Sequence, residues 1–478
     1  QLPSGETGAG APFALMDLPT EQRQVAAEWS PATGHWMVVG APGSGRTTAL
    51  AAVVHAAARR WSPDRLQVQV IGDGSATTTT LSGLDHVGSV VDGEDTTVVG
   101  RFLERLEADI SDRRRLLRAS GHATLDAWWS AHDSAGGPTP PPHLLLAVDG
   151  LGRVTRPRGA SDLGETAESL ETLMRDGTSA GLCVLVAGGR ELLSGRVSSL
   201  VASRLVLHLG DRGDAALAGL TRTQVSERLV PGRARWQPGG HLVQVARPAS
   251  PAAPRAAPTT PPWTVCALPD EVLLADLPPG DREMVPVGLG GSGRDPVLWR
   301  TDGARRFLVC GPARSGRSTA LAMLAGQVRS AGQPLVVLGS PALADGLGCP
   351  TLGPDDRDEL VTLRQQHPDL AVVVDDLERL EGTPVADVVR EIGRRLDLDR
   401  GLLIGSTTTR TAAGQVRGLV ADLARERTGL LLQPLARSDG DALGLRVPAL
   451  PRLAGRGYLV VDGSAEEVQV ARPGPTAS

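Results

Sequence analysis

The sequence predicts an α/β protein made of two tandem P-loop domains, each a mainly parallel sheet with helices on both faces. Three observations predict it. A glycine-rich stretch occurs twice, Gly40-Ala41-Pro42-Gly43-Ser44-Gly45-Arg46-Thr47-Thr48 and Gly311-Pro312-Ala313-Arg314-Ser315-Gly316-Arg317-Ser318-Thr319, and both copies have the G-x-x-x-x-G-x-[ST] frame of a phosphate-cradling loop. Each copy follows an apolar run (Trp36–Val39; Phe307–Cys310) and precedes an Ala/Leu-rich helical segment (Ala49–Arg60; Ala320–Arg329). That order puts a tight turn between a buried strand and a helix N-terminus, where free N–H groups and the helix dipole favour an anion. Finally, the spacing repeats. Asp149 precedes Arg247 by 98 positions and Asp375 precedes Arg472 by 97, and each half closes on Gln-Val-Ala-Arg-Pro (Gln244–Pro248; Gln469–Pro473), as two copies of one module would.

Length and composition agree. The chain has 478 residues, too many for one ordinary domain. Hydrophobic residues make up 41% and aromatic residues only 3%, so two cores built from Leu, Val and Ala are expected. A net charge of −5 gives no electrostatic pull toward nucleic acid or anionic lipid. Cys183, Cys266, Cys310 and Cys349 show no metal spacing, and two of them lie in apolar strand-like runs, which reads as buried free thiols in a reducing compartment. No apolar run approaches the ~20 residues of a membrane span. The chain opens on Gln1 rather than Met, which leads us to expect a piece of a longer protein.

Taken in order, residues 1–35 read as an irregular lead-in with a short strand at Phe13–Leu18. The first P-loop follows, then an alternating strand at Leu66–Ile71 that ends in Asp73-Gly74. From about Thr97 to His132 one helix is predicted, with Phe102, Leu103, Leu106 and Ile110 on one face; Arg113-Arg114-Arg115 reads as a solvated face, with contact to phosphate as the alternative. Strands are predicted at Leu144–Gly150, Leu182–Ala187 and Arg204–Leu209, with a helix at Glu165–Gly177. The segment Pro248–Pro262 is proline-rich, tends to extended structure and marks the boundary. The expected division is residues 1–248, a linker over 249–262 and a second domain over 263–478. In the second domain the strands fall at Leu335–Leu338, Leu370–Asp375, Leu402–Ile404 and Gly429–Leu432, with a helix at Pro384–Leu396.

In an α/β sheet, ligands sit at the C-terminal strand ends. The P-loops would supply Gly40, Gly43, Gly45, Arg46, Thr47 and Thr48 at the first site, and Gly311, Gly316, Arg317, Ser318 and Thr319 at the second. Asp149 and Asp375 each end an apolar strand, in position to hold Mg²⁺ through water. Asp149-Gly150 is equally readable as a simple strand-to-loop turn. Two departures weaken the chemistry. Arg replaces the P-loop lysine in both copies, and a planar fork is not a compact point charge. The residue after the aspartate, normally an acid that orients the attacking water, is Gly150 at the first site and Asp376 at the second. Asp376 is thus the only candidate base. The sequence contains no lysine and no asparagine, so compositional drift is a competing explanation for the arginines. Arg190, Arg233, Arg410 and Arg456 lie beyond later strands or near module ends, within reach of a phosphate or a neighbouring subunit, although each also reads as a surface arginine.

These residues resemble those of the FtsK/SpoIIIE class of RecA-like ATPases. The resemblance is strongest to the C-terminal tandem domains of the EccC/EssC proteins of type VII secretion. It is carried by the paired P-loops, the acid-ended strands, Pro19–Thr48, Arg113–Trp129 (similar to a helical insertion), Val285–Ser318 and the closing Gly455–Val460. It implies ATP and Mg²⁺ as cofactors and a location on the cytoplasmic side of the membrane. It also implies a preceding part carrying transmembrane helices and a first ATPase domain, a secreted helical-hairpin substrate, and room for a homo-hexamer in the full assembly. The implied role is regulatory and substrate-docking, with weak or no hydrolysis. Two other readings remain open at this stage. An FtsK-type DNA translocase would be expected to keep its P-loop lysines. A nucleotide-free scaffold would keep the loops only as turns.

Overall fold

The computed structural model describes residues 10–72, 75–154, 165–225, 230–237, 239–248, 258–291 and 294–473. By their contacts they divide into two compact units, Gln1–Cys266 and Ala267–Ser478.

The first unit is built on β1 (Ala11–Leu18), β2 (Arg23–Trp29), β3 (His35–Val39), β4 (Leu66–Gly72), β5 (Val87–Asp92), β6 (His143–Asp149), β7 (Leu182–Gly188), β8 (Val201–Val206), β9 (Arg233–Gln237) and β10 (His241–Val245). They form one ten-stranded sheet in the order β2-β1-β10-β9-β8-β3-β7-β6-β4-β5. The run from β8 to β5 is parallel. β9, β10, β1 and β2 continue the sheet antiparallel. The central parallel strands β6 and β7 are apolar along almost their whole length because helices cover both faces, whereas β4 alternates with Gln67 and Gln69. In β6, Leu144, Leu146 and Val148 face one core with the helices Thr96–Ser120 and Glu165–Gly177, while Leu145 and Ala147 face the other with the P-loop helix Arg46–Arg60.

The second unit repeats this plan with β11 (Met284–Gly290), β12 (Asp295–Arg300), β13 (Arg306–Gly311), β14 (Leu335–Leu338), β15 (Thr351–Leu352), β16 (Ala371–Val374), β17 (Leu402–Thr408), β18 (Gly429–Leu432), β19 (Arg456–Val461) and β20 (Ser464–Val470). Its order is β12-β11-β20-β19-β18-β13-β17-β16-β14-β15, the same permutation strand for strand. The duplication read from the spacing is therefore a duplication of topology.

Several expectations need correction. The lead-in is not irregular: β1 and β2 pair as a hairpin and β1 pairs with β10, so the chain start joins the sheet. The mainly parallel sheet holds, with five parallel pairings against four antiparallel in the first unit, and its antiparallel part contains half-exposed strands that a search for apolar runs overlooks. The helix expected over 97–132 is two helices, Thr96–Ser120 and Leu125–Ala135. Gly121, at φ 75°, ends the first in a left-handed C-cap, and the Thr124 hydroxyl caps the second by accepting from the Ala127 N–H. Arg113 is not on a solvated face. It is 4% exposed, paired with Asp109 at 3.0 Å, and donates to the Pro142 carbonyl. The strand expected at 204–209 lies at Val201–Val206. Cys183 and Cys310 are buried free thiols, as their strands suggested.

Most of the proline-rich segment lies outside the described residues. Its end, from Pro258, packs on the first unit. The Thr259 and Thr260 N–H groups donate to Asp64, and the buried side chains of Gln67 and Gln69 on β4 donate to the Thr260 and Trp263 carbonyls. Trp263 stacks near Phe102 with ring centroids 5.4 Å apart and donates its indole N–H to Asp109. Val265 donates its N–H to the Ser89 hydroxyl on β5. The contact boundary therefore falls four residues beyond the last proline of the run. Two glutamines that look out of place in a parallel strand are there to satisfy this segment's carbonyls.

Candidate nucleotide sites at the two P-loops

Each P-loop helix begins at its arginine, with Gly45 (φ 97°) or Gly316 (φ 95°) at the N-cap and no side chain capping it. The first N–H groups are thus left for a ligand, as a phosphate cradle requires. The loops close tightly. A Cβ on Gly40 or Gly311 would meet the Ser44 or Ser315 hydroxyl at 2.3 Å, which is why glycine stands there. Both of those hydroxyls are buried without a hydrogen-bond partner. Gly43 has φ 76° and open space around it, whereas its counterpart Arg314 takes φ 66°, a conformation that side chains rarely adopt. Both cradles fit phosphate groups.

The surroundings differ. At the second site the Ser318 hydroxyl donates to Asp375 at 3.1 Å, and Ser406 at the end of β17 donates to the same carboxylate at 2.6 Å. Hydroxyl and acid are already assembled as a hydrated Mg²⁺ would need them, so these residues fit that ion. Asp376 is not free. Its left-handed backbone (φ 55°) turns its carboxylate to Arg317 at 3.6 Å and to Arg379 at 3.1 Å, while its N–H donates to Ser406. The candidate base is therefore tied to the candidate phosphate-binding cation.

At the first site Asp149 is only 4% exposed, and its carboxylate accepts from the Thr77 hydroxyl at 2.6 Å rather than from Thr47. Among the described residues Thr47 makes no side-chain hydrogen bond and Arg46 no ion pair. The Arg46 guanidinium lies 3.4 Å from where a Cβ on Gly189 would sit, and the Glu191 carboxylate 3.0 Å from the same point. Glu191 is held there by the Gly189 N–H, which donates to it at 2.7 Å. This donor set does not fit Mg²⁺: the acid is withdrawn and the loop hydroxyl stands apart from it. Beside the loop is a cavity of about 450 Å³ lined by Gly43, Gly45, His208, Arg233 and Arg247 among others. Among the described residues, no group of three or more His, Cys, Asp or Glu side chains is placed to hold a metal ion.

Of the four distant arginines, Arg233 lines the cavity beside the first P-loop. Its Nε donates to Gln244 at 3.3 Å. Arg190 is exposed and lies 3.5 Å from Asp214. Arg410 is exposed on the short helix Thr409–Gly414. Arg456 is corrected from a candidate contact to a structural residue. It is 7% exposed and fully engaged by Gln469, Glu467 and the Leu268 and Pro269 carbonyls. Thr77, Ser406, Arg379 and Glu191 were missed by sequence reasoning. For Ser406 a signal existed, because a polar Ser-Thr-Thr run ends the otherwise apolar β17. Thr77 belongs to no motif, and only the fold brings it to Asp149.

Two tandem P-loop sheets with acids at the ends of parallel strands define a class, and the chain belongs to the FtsK/SpoIIIE family, whose sequence model matches residues 10–251. That membership implies a nucleotide-binding P-loop. Within the family it is similar to the ESX-4 secretion system protein EccC4 of Mycobacterium tuberculosis, 25% identical over 96% of this chain and 40% of that protein. It is also similar to the ESX-1 secretion system protein EccCb1 of the same organism, 24% identical over 64% of this chain and 56% of that one. The chain thus spans well under two thirds of the length of these relatives. In fold it matches ATPases 2 and 3 of EssC from Geobacillus thermodenitrificans (TM-score 0.72, 17% identity, 99% of this chain and 98% of that one). It likewise matches ATPases 2 and 3 of Thermomonospora curvata EccC in complex with a signal sequence peptide (TM-score 0.68, 19% identity, 99% and 95%). No helix among the described residues is long and apolar enough to cross a membrane.

Proposed function

We propose that this chain is a nucleotide-binding, weakly or non-hydrolysing tandem ATPase module of a type VII secretion-like motor, with a regulatory and substrate-docking role. The observation that carries it is the state of the two acids that should drive hydrolysis. Asp376 is held by Arg317 and Arg379, and the first site has Gly150 where a carboxylate is needed. Both cradles keep the geometry for phosphate, so binding outlives turnover. When bound, ATP supplies the charge that the loop N–H groups and arginines recognise, and Mg²⁺ at the second site supplies charge neutralisation held by Ser318 and Asp375. Similarity to EccC4 supports the secretion context, and the Thermomonospora curvata EccC complex with a signal sequence peptide supports docking of a signal peptide, which in this reading belongs to a helical-hairpin substrate. In that reading the full protein places this module on the cytoplasmic side of a membrane, behind a membrane-anchored part and a first ATPase domain.

The test is steady-state ATP hydrolysis by the unmodified chain and by Arg46→Lys. Both are expected at background, since lysine at 46 does not restore a base beside Asp149. Vigorous turnover by the unmodified chain contradicts the reading. A labelled C-terminal signal peptide is expected to bind the unmodified chain saturably, and failure of any such peptide to bind removes the docking role.

A further inference from the structure

The two sites present different donor sets, and part of the difference comes from Thr77 and Asp376, outside the P-loop motif. At the second, loop hydroxyl and strand acid are joined, Ser318 to Asp375, and the P-loop arginine has the Asp376 carboxylate 3.6 Å away, with its Nη1 buried and not hydrogen-bonded. At the first, the acid is buried and bonded to Thr77, the Thr47 hydroxyl is left alone, and Arg46 has no acidic partner within ion-pair distance among the described residues. The Glu191 carboxylate lies beside Arg46 without reaching ion-pair distance, so what sets the first site apart from its twin is a strand acid locked away from the loop hydroxyl and an arginine with no acid paired to it.

We propose that the first P-loop binds a nucleoside di- or triphosphate without a divalent cation, with Arg46 providing the positive charge that Mg²⁺ provides elsewhere. The inference rests on the nucleotide-binding reading above. Free nucleoside triphosphate carries more negative charge than its magnesium complex, and a planar guanidinium donating two parallel N–H bonds suits two phosphate oxygens. The loop itself favours close approach, because Gly43 leaves open space where the second loop carries Arg314. Thr77 is then a positioning residue: it keeps Asp149 from both Thr47 and a metal. The second site keeps the ordinary dependence on Mg²⁺.

The experiment measures equilibrium binding of ATP and ADP to the full chain in Mg²⁺ and in EDTA, with the second cradle silenced by Gly316→Asp. That change puts a carboxylate among the phosphate donors, and Asp tolerates the positive φ better than most residues. The remaining site is expected to bind within about twofold equally in the two conditions. In that background Arg46→Ala is expected to lower affinity about tenfold or more in EDTA. Thr77→Val, which releases Asp149 without changing side-chain shape, is expected to make binding about fivefold tighter in Mg²⁺ than in EDTA. Loss of binding in EDTA by the Gly316→Asp chain, or indifference to Arg46→Ala, overturns the proposal while leaving nucleotide binding standing. No binding by the unmodified chain in either condition overturns both. Should Gly316→Asp fail to fold, Gly45→Asp gives the complement: what remains should then bind only with Mg²⁺, and metal-independent binding by that chain overturns the proposal.

Discussion

An arginine in a P-loop can act on phosphate only if nothing nearer claims it, and the two arginines here have different neighbours. Arg317 sits 3.6 Å from Asp376, with side chains 16% and 25% exposed. A pair of this kind is worth roughly 0.5–1 kcal/mol after solvent screening. Asp376→Ala is therefore expected to free Arg317 and tighten nucleotide binding at the second site about two- to fivefold, with residual hydrolysis unchanged. A loss of measurable turnover in that variant would instead return Asp376 to the role of base. His143 offers a second test at this scale. Burial, then the charges of Arg113 and Arg65, lower its pKa to about 4 from 6.5. Asp126, 3.6 Å away, pulls the other way but is half exposed, and burial raises its own pKa. Because the folded imidazole resists protonation and the unfolded one does not, stability is full above about pH 6.5 and falls as pH drops toward 4. The loss is expected to reach roughly 3 kcal/mol, partly offset by Asp126. Urea unfolding across that range should show the slope, and His143→Gln should flatten it.

Among the elements, the segment Pro258–Cys266 was the least legible. Its composition says linker, and a proline-rich run cannot build a core of its own. The contacts that hold it come from elsewhere: Gln67 and Gln69 on β4, Ser89 on β5, and Phe102, Arg101 and Asp109 on the long helix. Trp263→Ala removes a half-buried ring and an indole hydrogen bond. It is expected to cost the first unit about 2 kcal/mol, read as a lower unfolding midpoint, with nucleotide binding at the second loop unaffected. An unchanged midpoint would mean the segment rests on the unit without stabilising it. By contrast, the central strands β3, β6, β7, β13, β14, β16, β17 and β18 were plain as apolar runs, because a strand covered on both faces is apolar over most of its length, and β4 was plain through its alternation. The antiparallel strands β2, β9 and β12 were not. One face of each is half exposed, and their polar residues read as loop.

Across the whole molecule, the duplication was visible in the sequence as matched spacing, and the identical strand order of the two sheets is its structural form. The catalytic asymmetry was visible only in part. Gly150 and the two arginines could be read directly, but the capture of Asp149 by Thr77 and of Asp376 by Arg317 and Arg379 depends on which strand ends the sheet brings together. The behaviour proposed for the tandem is to hold nucleotide without turning it over. It is tested most directly by measuring nucleotide binding and phosphate release on one preparation of the unmodified chain with Mg²⁺. Saturable binding with turnover below about 0.01 s⁻¹, far under the usual enzymatic range of ~1–10³ s⁻¹, is the expected result. Turnover of about 1 s⁻¹ or faster that Asp376→Ala abolishes, or no binding at either loop, would contradict it.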